Sequence, residues 1–386
     1  MSNVGEVRRQ WKDRGSTLVL VAAAMVSLLG MVALAVDLGM LFTARSEAQR
    51  AADSAALAGA GHLMFNPNDE AGARSQAEQY GESNDIQGQQ IDIDPQEDVE
   101  VDLAEERVRV TVHRDEVRGG PVATWFARVL GIDEVDVAAV AAAQLGPAGA
   151  AKCLKPFIIP DRWDDANANL YFDDGDYYAA FETGYGTAFA NNDGMGYTND
   201  FGREIEMKAG NAGGDSDEPA QPGWYYPFDI PQTEEGNCSG GPEGQGGQCY
   251  EWAIVNCHPH QYEIGDIVIK ENGSMSGPTS HGVDSLVALD PDAYWDPIQG
   301  TVLDSDWGAN WAASPRYGII LTFDPSLAYD PGKNELTITN IIGVWFEGVQ
   351  GKGGPQQRVF GRVLWAAGLG TGDEEAPAIK RVQLVE

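Results

Sequence analysis

The chain has 386 residues, of which 59 are acidic and 25 basic, for a formal net charge of -34. A field that negative repels nucleic acid, so no nucleic-acid partner is expected. With 43 % hydrophobic and 22 % charged residues the chain is not disordered throughout, and its length leaves room for an anchor plus one or two folded domains.

Residues 15–36 carry no charge. As a helix rising about 1.5 Å per residue, residues 17–36 cover roughly the 30 Å of a bilayer's hydrocarbon. Arg8, Arg9, Lys12 and Arg14 precede the run, and basic residues beside a span are retained in the cytoplasm. The reading is therefore a cytoplasmic basic segment at 1–15 and a transmembrane helix at 16–42, with everything beyond exported. This places the protein in the inner (cytoplasmic) membrane as a single-pass chain, its N-terminus cytoplasmic and the lipid bilayer its first partner. A cleaved signal peptide competes, but the apolar run exceeds the usual 7 to 15 residues and the Ala-rich pattern after it still reads as helix. Asp37 falls where the span meets the far interface and is expected to be solvated there.

Residues 43–146 read as that helix continuing to about Gly61 and then a small α+β module. Ala48, Ala52, Ala55 and Gly59 give the helix a small-residue face, expected to pack laterally on partner subunits, and Glu47, Arg50 and Asp53 stand three apart, the spacing of helix ion pairs. A second helix is expected at 71–80, a polar loop at 81–90, and a hairpin at 99–103 and 108–112 from alternating apolar and polar residues. Residues 121–130 predict a short amphipathic helix whose Trp125, Phe126 and Leu130 cover the hairpin's apolar face. Residues 135–145 predict a third strand, and Gly146-Pro147-Ala148-Gly149 a hinge.

Residues 147–386 have the texture of a β-rich extracytoplasmic domain, with strands predicted at 264–270, 317–323, 335–346 and 358–365 and surface loop at 210–223; sandwich and barrel both remain open. The fold class is α+β: a single N-terminal transmembrane helix continuing into a small α+β module, followed by a β-rich exported domain. All four cysteines lie beyond the span. In an oxidising compartment they predict two disulfides, Cys238 with Cys249 across a Gly-rich loop and Cys153 with Cys257, out of three possible pairings. A metal reading of Cys257-His258-Pro259-His260 with Cys249 matches no closed zinc spacing.

Other candidate chemistry is sparse. Asp164, Asp165, Asp173, Asp174 and Asp176 make calcium a candidate partner, although they lack EF-hand spacing and exposed loop carboxylates are the commoner explanation. The interleaved Tyr171, Phe172, Tyr177, Tyr178, Phe181, Tyr185 and Phe189 suit stacking on sugars or protein, or a core. Ser274, Ser276, Ser280 and His281, with His258 and His260, have no nucleophile-elbow context and read as a turn. No catalytic, cofactor-binding or metal-binding residues are assigned.

Arg14-Gly15-Ser16-Thr17, the apolar run, Ala35-Val36-Asp37-Leu38-Gly39 and the block Gln49-Arg50-Ala51-Ala52-Asp53-Ser54-Ala55-Ala56-Leu57-Ala58 together resemble the N-terminal anchor of TadE/TadG-like Flp pilus-assembly proteins. Cys153-Leu154-Lys155-Pro156-Phe157, Gly277-Pro278-Thr279 through Gly282, and Ser314-Pro315-Arg316 with Phe323-Asp324-Pro325 resemble the exported part of some large TadG-like proteins. The resemblance implies a membrane-anchored, non-catalytic assembly component of a Flp (tight adherence) pilus or a related secretion system, with other pilus-assembly proteins as partners. Two features depart from it. Leu20 stands where pilin-like members trimmed by prepilin peptidase have Glu, so cleavage is not expected. Asp324-Pro325-Ser326-Leu327-Ala328 lacks the last Ser of a von Willebrand A metal site, so that domain is not expected either. A surface-binding module for polysaccharide or protein and an exported hydrolase are the competing functions.

Overall fold

A computed structural model of the chain describes residues 4–164, 166, 172–178, 201–209, 225–228, 247–256, 260–270, 275–327, 335–351, 357–369 and 379–385. The chain forms two units. One comprises Met1–Leu63, Asn68–Gln144 and Gln383–Glu386, the other Met64–Pro67 and Leu145–Val382.

The first unit is built on α1 (Val4–Phe65), one unbroken helix of 62 residues. It contains no proline and ends before Asn66-Pro67, because the residue preceding a proline is pushed out of the helical region. From Leu18 to Val36 its large apolar side chains are exposed, and the helix is long and apolar enough to cross a membrane. Beyond that the pattern changes: Ala44, Ala48, Ala51, Ala52, Ala55, Ala56 and Ala60 are fully buried, at the three- and four-residue spacing of one helix face.

That face is covered by the unit itself. α2 (Glu70–Glu82) starts at Asp69, whose carboxylate accepts the Gly72 N–H at 2.8 Å, and buries Ala73, Ala77 and Gly81. β1 (Val99–Asp102) and β2 (Arg107–Arg114) form the expected antiparallel hairpin, and β3 (Val137–Pro147) joins the other edge of β2. Alternation along β2 turns Val108, Val110 and Val112 inward. At Gly59 the three elements meet: a Cβ there would lie 2.8 Å from Val108 Cγ1, 3.1 Å from the Ala73 carbonyl oxygen and 3.4 Å from Ala77 Cβ. The small residues are therefore a packing device, but against this chain's own sheet and second helix, which corrects the expectation of lateral packing on partner subunits. The expected ion pairs give way as well. Glu47 accepts the Gln87 backbone N–H at 2.7 Å, and Asp53 accepts from Gln49 Nε2 at 2.8 Å.

Residues 121–130 do not form an amphipathic helix over the hairpin. Val122–Ala123 pairs antiparallel with Glu134–Val135, and between them only Ala127–Leu130 takes a 3-10 turn. The result is a narrow finger. Its Trp125 and Leu130 point outward, while the hairpin's apolar face is already filled by α1 and α2.

The second unit is organised by a seven-stranded sheet: β4 (Leu154–Pro160), β5 (Glu204–Ala209), β6 (Tyr226–Pro227), β7 (Ile267–Ile269), β8 (Tyr317–Phe323), β9 (Glu335–Gln350) and β10 (Arg358–Leu364). The strand order is β5-β10-β9-β8-β4-β6, with β7 pairing the start of β9; β4 and β8 run parallel and the other pairs antiparallel. This mixed sheet replaces the sandwich and barrel alternatives. Ile158, Leu321, Phe323, Ile338 and Ile341 form its apolar core. The four sequence-predicted strands correspond to β7, β8, β9 and β10. Two helices, α3 (Gly247–Val255) and α4 (Ser276–Val287), pack on the sheet and on each other. They approach so closely that a Cβ on Gly282 would lie 2.9 Å from Ile254 Cδ1. The Ser/Gly segment expected as a turn is thus helix: Ser280 donates its hydroxyl to the Ser276 and Gly277 carbonyls, and His281 sits exposed beside Glu251.

Buried Arg316, Asp290 and Asp161 in this unit are met by extensive local hydrogen bonding. Arg316, 4 % exposed, donates to the carbonyls of Asp290 (2.8 Å), Ala293 (2.6 Å), Phe346 (3.0 Å) and Glu347 (3.3 Å) and stacks over Trp345 at 4.7 Å. Burial pushes the Asp290 carboxyl up, yet donors from Ser314, the Asp306 N–H and Ser305, with the Arg316 charge nearby, hold it below its ordinary value. The Ser314-Pro315-Arg316 motif is the centre of this network. Asp161, wholly buried, accepts from Thr339, Tyr178 and the Arg162 N–H, and its pKa is raised by desolvation that these bonds only partly offset.

Candidate functional site

The point at which α1 leaves the apolar run carries the most specific polar geometry of the first unit. Asp37 is 3 % exposed, although Val36 and Leu38 on either side are each 45 % exposed. Its Oδ1 accepts the Trp125 N–H at 3.0 Å, and its Oδ2 accepts those of Phe126 at 2.9 Å and Ala127 at 2.6 Å. These amides open the 3-10 turn of the finger and have no acceptor within the turn, so one carboxylate satisfies three otherwise orphaned donors. This corrects the expectation of a solvated Asp37. The carboxylate is a clamp, joining the end of the apolar run to a segment some ninety residues later in the chain.

Two further ties secure the same stretch of α1. The turn between Asp85–Ile86 and Gln89–Gln90 places Gln87 at φ +53, with its N–H on Glu47 and its side-chain amide on the Met40 carbonyl at 3.0 Å. Gln49 Nε2 also reaches the Val140 carbonyl of β3 at 3.1 Å. Behind the turn, Arg114 is buried and donates to the carbonyls of Ile86 and Gly120, each at 2.7 Å; burial depresses its pKa. From residue 37 to residue 63, then, α1 is held to the module by both polar ties and close packing.

Asp37→Ala is expected to speed hydrogen exchange at the amides of Trp125, Phe126 and Ala127 while leaving the β1–β2 hairpin protected. Asp37→Asn, with a single acceptor oxygen, should fall between. Amide exchange read by mass spectrometry on the full chain in lipid nanodiscs checks this, and unchanged protection at residues 125–127 would contradict the clamp.

The other predicted site residues are distributed differently. Arg8, Arg9, Lys12 and Arg14 lie in the first turns of α1. Ala48, Ala52, Ala55 and Gly59 come together on its buried face. Cys153 and Cys249 are each engaged in a disulfide and no described cysteine is free; Cys238 and Cys257 lie outside the described residues, as do Asp165, Tyr171, Phe181, Tyr185, Phe189, residues 210–223, His258 and Ser274. Among the described residues no three His, Cys, Asp or Glu side chains gather as metal ligands. Asp176 instead accepts the N–H groups of Ala166 and Asp173. Phe172, partly buried, packs edge-on to Trp163 and against the core, and half-buried Tyr178 donates to Asp161, so both are tied to the unit's own interior. Asp324 accepts from the Ser326 N–H and hydroxyl, closing its own turn.

Asp37 and the alanine face fall inside one segment. Residues 15–62 match the family model described as "Putative Flp pilus-assembly TadE/G-like". The TadE/G-like segment thus comprises the apolar run, Asp37 and the alanine face up to His62, and it stops before α2. No similar chain was found among curated proteins or solved structures.

Proposed function

We propose that this chain is a membrane-anchored, extracytoplasmic, non-catalytic assembly component of a Flp pilus or a related secretion system. The observation that carries the proposal is the TadE/G-like match at residues 15–62, coincident with a membrane-length apolar helix. In this reading Arg8, Arg9, Lys12 and Arg14 keep the N-terminus in the cytoplasm. The module from residue 43 and the β-rich unit then stand outside the inner membrane, where disulfides Cys153–Cys257 and Cys238–Cys249 form. The binding surface for neighbouring subunits is not the alanine face, which the module occupies. It lies on the exposed exterior of the two units.

Paired C-terminal fusions test the topology: active alkaline phosphatase with no fluorescence from a cytosolic fluorescent protein is expected, and the reverse overturns the orientation. Capture of the full chain from crosslinked, solubilised membranes, probed with antibodies against Flp assembly proteins, tests the role. Recovery of those proteins is expected, and their absence from the crosslinked product counts against it.

A further inference from the structure

The finger held by Asp37 presents five large apolar side chains within eight residues. Trp125, Val129 and Leu130 are 72 %, 89 % and 76 % exposed, with Phe126 and Ile132 about half exposed. The backbone that carries them is closed on itself. Thr124 donates its N–H to the Asp133 carbonyl and its hydroxyl to those of Ile132 and Asp133, and Gly131, at φ +83, reverses the chain. Scattered exposed apolar residues need no explanation, but a contiguous set on a locked loop marks an interaction surface.

We propose that residues 124–132 form a lipid-binding finger that enters the headgroup and upper acyl region of the bilayer beside the span. The proposal rests on α1 crossing the membrane and adds a second membrane contact. Its level follows from the clamp. If the hydrocarbon begins near Thr17, a rise of about 1.5 Å per residue places Asp37 roughly 30 Å further on, at the opposite boundary. Hydrogen bonds of 2.6 to 3.0 Å then fix the backbone of residues 125–127 at that same boundary. The chemistry suits the depth. A tryptophan at the membrane–water interface is in its preferred setting, and Arg128, with 55 % of its side chain exposed and its Nε 4.0 Å from the exposed Asp133 carboxylate, can keep that pair among headgroups while its stem lies along the apolar tip. Of the finger's acids, Asp133 is the partner of Arg128 and Glu134 pairs with Ala123 at the base. Apolar surface also lies between the finger and the span: Leu38 and Phe42 of α1 are exposed, and Leu38, Leu41 and Phe42 line a groove with Val135 and Val137 that Arg45 and Asp136 also border.

Site-specific photocrosslinking on the full chain in cell membranes tests this. Val129→p-benzoylphenylalanine is expected to give phospholipid adducts by mass spectrometry, as is Leu28→p-benzoylphenylalanine in mid-span, whereas the same change at Glu105, on the β1–β2 turn, gives none. Adducts from position 129 to a second copy or another polypeptide, or no adduct there while position 28 labels lipid, overturn the finger and leave the anchor standing. Failure of position 28 to label lipid removes the anchor and the finger together.

Discussion

Gly59→Leu destabilises the first unit by about 3 kcal/mol or more, because a side chain is forced into a site that has no room for its first carbon. Val108 Cγ1 at 2.8 Å and the Ala73 carbonyl at 3.1 Å cannot both recede: one sits on a strand paired on both sides, the other on the backbone of α2. Two residues on, Gly61 would meet nothing within 4 Å. Gly61→Ala should therefore be neutral or stabilising by about 0.5–1 kcal/mol through helix propensity alone. Hydrogen exchange across residues 68–144 of the full chain in nanodiscs reads both. The contrast also separates two roles for the small-residue face. A face reserved for other subunits would leave exchange in the isolated chain unchanged by Gly59→Leu and lose only assembly.

Arg316→Met costs the second unit about 3–5 kcal/mol, the range for removing one member of a buried charged network. Four backbone carbonyls lose their donor at once, and Asp290 loses the cation that helps hold it ionised. Arg316→Lys keeps the charge but not the planar fork and should fall between the two. Urea unfolding followed by tryptophan fluorescence is a suitable readout, since Trp345 lies directly beneath the guanidinium. A change below about 1 kcal/mol would show that the network is replaceable by water.

The parts of the fold that were legible in the sequence are those with a periodic signature. The uncharged run marks the span, and alternation at 99–103 and 108–112 marks the hairpin. Apolar runs bounded by Gly, Pro and Asp mark β8, β9 and β10. What escaped was determined by partners far along the chain. Asp37 reads as a solvated interfacial acid because its three partners are backbone amides some ninety residues away, and amides leave no trace in residue identity. Residues 121–130 carry an amphipathic pattern, yet Thr124 closes them into a hairpin through the carbonyls of Ile132 and Asp133. α4 carries Ser, Gly and Pro in its first turns, turn-forming residues by composition. Its Gly282 is what permits contact with α3, so tertiary packing overrides propensity there. The one local clue to the clamp was Asp37 itself, an acid placed at the end of a run otherwise free of charge.

Because α1 passes through the exit without a break, its 28 residues beyond Asp37 form a stiff lever of roughly 40 Å fused to the anchor. A transmembrane helix that inclines by about 20° to match a thinner membrane would swing the far end of that lever sideways by roughly 14 Å. Membrane thickness would thereby be converted into lateral displacement.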